Sequence, residues 1–111
     1  MGRYTNANGE IGVVISVGYG AGWSTWAFEP ENAELLMFHP QLVDYILHAD
    51  TIEPDEVKNI LSGINDNFFM SLREEDYKNL TVVWVKKGEM FYVEDYDGYE
   101  SIVRPPQMFI A

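Results

Sequence analysis

The sequence predicts an α+β domain: one N-terminal strand, two or three short helices, and a C-terminal three-stranded antiparallel meander, all in one sheet. Three observations carry that prediction. Residues 11–17, IGVVISV, are almost continuously apolar and β-branched, as in a buried strand. Between Pro40 and Lys78 apolar residues recur at helical spacing, behind prolines and acidic first turns. From Leu80 the pattern turns to strands, LTVVWV, MFYVEDY and YESIVR, broken by Lys86-Lys87-Gly88-Glu89 and by Asp97-Gly98. With 111 residues, 47% of them apolar, the chain has material for a single domain over 1–111 with one core.

Taken in order, residues 1–10 read as a mobile lead-in with a turn at Asn8-Gly9. The strand 11–17, weakened at Gly12, runs into GYGAGWSTW, where Gly18, Gly20 and Gly22 are interleaved with Tyr19, Trp23 and Trp26. Pro30 closes that loop, and ELLMF at 34–38 suits a buried strand or a helical turn equally. Pro40 opens the clearest helix, with Leu42, Val43, Ile46 and Leu47 as its apolar stripe and Asp50-Thr51 as its end. A second helix starts at Pro54, with Asp55 and Glu56 facing the positive end of its dipole. Val57, Ile60, Leu61 and Ile64 give its buried face, and Gly63 suits a left-handed cap. Ser71 to Glu74 matches a capping box, which predicts a third short helix over 72–78. Asp97-Gly98 is a two-residue hairpin turn that sets Tyr96 opposite Tyr99 and Asp95 opposite Glu100. Pro105-Pro106 stops the last strand, and MFIA follows as an apolar scrap suited to covering an edge.

Charge is the most unusual bulk property. Eighteen Asp and Glu against seven Lys and Arg give −11, and no Lys or Arg stands between Tyr4 and Val57, where nine acidic residues fall. Such a field repels phosphate backbones and anionic lipid and attracts basic surfaces, so direct binding to nucleic acid or to a membrane is not expected. Acidity also serves solubility alone. With no cysteine the chain forms neither disulfides nor thiolate zinc sites. The opening MGRYTNANGE lacks a signal-like apolar run, so a cytoplasmic setting is expected.

Little points to catalysis. The chain has no nucleophile elbow, Ser24-Thr25 has no histidine near it in sequence, and His39 and His48 lie too far apart for a helical zinc pair. Neither a metal nor a cofactor is expected. Two segments invite binding. Gly18, Tyr19, Gly20, Gly22, Trp23 and Ser24 form a glycine-rich aromatic loop that suits a nucleotide or small ligand, but equally a tight turn packed by its rings. The hairpin tip gathers Glu94, Asp95, Asp97 and Glu100 beside Tyr96 and Tyr99, and like charges at 95 and 100 destabilise a sheet unless compensated. These residues, with Trp23 and Trp26 as exposed anchors, are the candidate contacts for a basic protein partner.

GYGAGWSTW together with EDYDGYESI resembles small accessory proteins encoded by tailed bacteriophages. The resemblance supplies no catalytic residues. It implies a context: such acidic proteins often bind and disable a host protein or defence complex in the infected cell's cytoplasm, some as nucleic-acid mimics. Sequestration of a small ligand is the alternative, and dimerisation to cover sheet edges is left open by the pattern.

Overall fold

The structure, a computed structural model, describes residues 2–27, 30–62 and 72–104. Strand β1 (Glu10–Ser16) leads through a 3-10 turn (Ser24–Trp26) into helices α1 (Pro30–Phe38), α2 (Pro40–His48) and α3 (Pro54–Ile60). After the short α4 (Glu74–Tyr77) come β2 (Leu80–Lys86), β3 (Tyr92–Tyr96) and β4 (Tyr99–Val103). The α+β class holds, but the single sheet with a three-stranded meander does not. β1 and β2 form one antiparallel pair, and β3 and β4 form another. β2 pairs with β1 over seven residues, Glu10↔Lys86 to Ser16↔Leu80, and among the described residues β3 does not take its other edge. The Lys86–Glu89 turn forms as expected, with Gly88 at φ 83°. Met90 and Phe91 then lead away from β2 before β3 begins, so the hairpin stands as its own ribbon.

Why β1 is so uniformly apolar follows from what covers it. On one face Val14, Leu80 and Val82 pack with Leu42 and Val43 of α2, Val57 of α3, and Leu36, Trp23 and Tyr77. On the other, Val13, Ile15 and Val85 meet Met37 and Phe38 of α1, Phe91 of the connection before β3, and Val93 and Ile102 of the hairpin. A strand covered on both sides cannot alternate apolar and polar residues. Gly12 belongs to the same packing: a Cβ there would stand 2.7 Å from a Val43 methyl, so glycine lets α2 lie close.

The prolines at 40 and 54 open α2 and α3 as the sequence predicts, each at the first helical position. Leu42 and Val43 are buried, whereas Leu47, in the last turn of α2, is 40% exposed. The ambiguous 34–38 stretch is helical, part of α1. In α4 the N-cap is Arg73. Asp76 accepts from the Arg73 N–H at 2.7 Å. Gly63, Ile64, Ser71 and the segment from Pro105 lie outside the described residues. Within the expected lead-in, Gly12 donates to the Tyr4 carbonyl, the Asn6 side chain accepts from Asn8 and Glu10 N–H, and Arg3 pairs with Glu34 at 2.8 Å.

Candidate functional site

The hairpin tip is built as its sequence dictates. Asp97 and Gly98 take φ 51° and 90°, the two left-handed residues of a type I′ turn, and the register is Tyr96↔Tyr99 and Asp95↔Glu100. Gly98 is required twice over, since a Cβ would also stand 2.5 Å from the Ala21 nitrogen. The tip therefore docks on the glycine-rich loop, and Gly20 N–H donates to the Asp97 carbonyl at 2.6 Å.

Alternation divides the hairpin into two faces. Val93, Asp95, Glu100 and Ile102 share the inner one. There Glu100 is fully buried, which corrects its assignment as a partner contact. Its Oε1 accepts from Ser16 N–H at 2.9 Å, while Oε2 accepts from Trp23 N–H and Thr25 N–H at 3.0 Å each and from the Thr25 hydroxyl at 2.5 Å. Among the described residues no cation pairs with it. The convergent N–H groups expected of an anion cradle are present, and the anion they hold is the protein's own. That removes the loop's means of gripping a phosphate. Gly22, Trp23 and Ser24 are buried, Gly18 is wedged against the Asn79 side chain, and only Tyr19 and Gly20 of the proposed ligand set are open.

Trp23 is corrected likewise. It is 1% exposed, its indole donates to the Leu36 carbonyl at 2.9 Å, and its ring meets Tyr77 edge-on. Trp26 is 36% exposed and donates to Asp95 Oδ2 at 2.7 Å. Asp95 Oδ1 accepts from Gly98 N–H at 2.6 Å. The opposed carboxylates at 95 and 100 are thus each neutralised by their own donors, the compensation such a pair needs.

The outer face carries Tyr92, Glu94 and Tyr96 from β3 with Tyr99, Ser101 and Val103 from β4. Tyr19 from the loop joins it, its ring 5.2 Å from that of Tyr99 and 6.4 Å from that of Tyr96. Tyr19 and Tyr96 are 62% and 76% exposed, Tyr99 is partly exposed, and Glu94 and Asp97 flank them. Of the sequence-derived contacts, Glu94, Tyr96, Asp97 and Tyr99 come together on the surface. Tyr19 is the member that sequence reasoning placed in a different site, for it lies eighty positions from Tyr99 and nothing local links them.

Elsewhere an apolar groove of about 450 Å³ runs between α1 and β3, lined by Ala33, Met37, Phe38, Phe91, Tyr92 and Val93 among others. Burial lowers the His39 pKa, and its Nδ1 has no hydrogen-bond partner. Burial, with Asp76 beside it, raises Tyr77 to about 12, and its hydroxyl is also unpartnered. Among the described residues no cluster of three metal-ligating side chains exists, and no helix is long and apolar enough to cross a membrane. No family model, curated protein or solved structure matches this chain.

Proposed function

We propose that this protein is a non-enzymatic binding protein that docks on a basic surface of a host protein or defence complex and blocks it. The observation that carries the reading is the Tyr19, Tyr96 and Tyr99 cluster, exposed, ring against ring, and flanked by Glu94 and Asp97. Tyrosine gives large contact area with few rotors, and carboxylates beside it select and steer cationic partners. The stretch from Gly88 to Val103 contains no Lys or Arg, so nothing on the hairpin opposes such a partner. The buried Glu100 supports a structural rather than a catalytic role for the deepest carboxylate, because its lone pairs are taken by four donors. The tailed-phage setting rests on the resemblance of the loop and hairpin sequences, and a nucleic-acid mimic is one form the acidic surface would take.

The test is a pulldown from bacterial lysate at low salt and at roughly 0.5 M salt, where the screening length falls to a few ångströms. The reading expects a basic protein retained at low salt, released at high salt, and lost with a Tyr19→Ala, Tyr96→Ala double variant. Retention that ignores both salt and the tyrosines would refute it.

A further inference from the structure

We infer that the partner contributes an extended segment, alternating basic and apolar residues, which adds to β3 as the third strand that this hairpin lacks. The inference rests on the acidic-docking reading above and specifies its partner. In a hairpin closed by a two-residue turn, Tyr96 and Tyr99 exchange backbone hydrogen bonds, as do Glu94 with Ser101 and Tyr92 with Val103. Val93 and Asp95 therefore turn their N–H and C=O groups away from β4. Among the described residues no other backbone group bonds them, and no strand lies on that side. An unpaired edge of this kind templates strand addition, with main-chain bonds giving affinity and alternate side chains giving specificity.

The two flanks of that edge differ in chemistry. Toward the inner face lies the apolar groove between α1 and β3, lined by Ala33, Met37, Phe38 and Phe91. Toward the outer face stand Tyr92, Glu94 and Tyr96, all exposed. An added strand would send every second side chain into the groove and the intervening ones beside Glu94 and the tyrosine rings, where a Lys or Arg gains both the carboxylate and the π faces. A second copy of this chain fits poorly, since β3 against β3 would bring Glu94 and Asp95 of each copy together at a net charge of −11 per chain.

The probe is a capped synthetic peptide of about seven residues alternating Arg and Val, long enough for one strand, compared with an isomer whose Arg and Val are in two blocks. Titration should show the alternating peptide binding about tenfold tighter. On binding it, the Val93 and Asp95 amides, fast in hydrogen exchange in the free protein, should gain protection. Equal, salt-sensitive binding of both peptides with those amides unprotected would overturn strand addition and leave the acidic-docking reading standing. No binding of either peptide would overturn both. A peptide-free dimer in sedimentation that already protects Val93 and Asp95 would assign the edge to self-association and likewise overturn the proposal.

Discussion

Glu100 shows how one side chain can hold two remote segments together. Burying a carboxylate without a cation is costly unless every lone pair finds a donor, and here three backbone N–H groups and a hydroxyl supply them. Glu100→Ala would leave the Ser16, Trp23 and Thr25 N–H groups buried and unpaired. The expected loss is about 3–5 kcal/mol, a large share of the stability of a domain this size. Glu100→Gln, which turns an NH2 toward donors, should lose about 2 kcal/mol, while exposed Glu94→Gln should stay within about 0.5 kcal/mol. Urea midpoints at unchanged slope measure all three. Tyr77 makes the opposite kind of prediction. Its folded pKa, raised to about 12 by burial and by Asp76, exceeds the ordinary value near 10. The unfolded chain therefore loses its proton first, and stability present below pH ~10 should fall by on the order of 2 kcal/mol as pH rises toward ~12. Tyr77→Phe should remove that contribution to the fall at no cost near neutrality, because the hydroxyl has no partner to lose. Denaturation curves at neutral and alkaline pH, with and without the substitution, decide it.

At the scale of elements, the hairpin turn is the best place to separate conformation from packing. Gly88 and Gly98 both have positive φ, but a Cβ at Gly88 meets nothing within 4 Å while one at Gly98 meets the Ala21 backbone at 2.5 Å. Gly88→Ala should cost about 1 kcal/mol from the dihedral alone. Gly98→Ala should cost about 1–2 kcal/mol more and loosen the Tyr19 loop, seen as shifted Gly20 and Ala21 amide resonances. This turn was legible in the sequence, as were β1, the prolines that start α2 and α3, and the Asp95↔Glu100 register, because each follows from a few adjacent residues. The choice of strand partner was not legible. Whether β3 joins the free edge of β2 or packs across the sheet depends on which faces the helices and the hairpin cover, and no local pattern states that. One miss was avoidable. Val93 and Ile102 share the parity of Asp95 and Glu100, so the alternation already put both carboxylates on the apolar face rather than on the tip. Trp23 and Trp26 could not be sorted in that way, for the loop that carries them has no period.

Under the proposed docking, what would hold a partner is separate in the molecule from what would bring one in. Charge acts over a Debye length of about 8 Å at physiological salt, so a net −11 governs the encounter, while the Tyr19, Tyr96 and Tyr99 rings act only on contact. The two contributions should part kinetically once a basic partner is in hand. Removing tip charge with Glu94→Lys and Asp97→Asn (asparagine keeps the positive φ of the turn) should slow association by about tenfold at low salt, with a smaller effect on dissociation. Tyr96→Ala should leave association nearly unchanged and speed dissociation by about tenfold or more, as loss of a central aromatic anchor does. Surface-binding kinetics across a salt series measure both rates. If the charge variants altered only dissociation, the carboxylates would be acting as buried pairs within the contact rather than as a steering field, and the division of labour between rings and charge would have to be reversed.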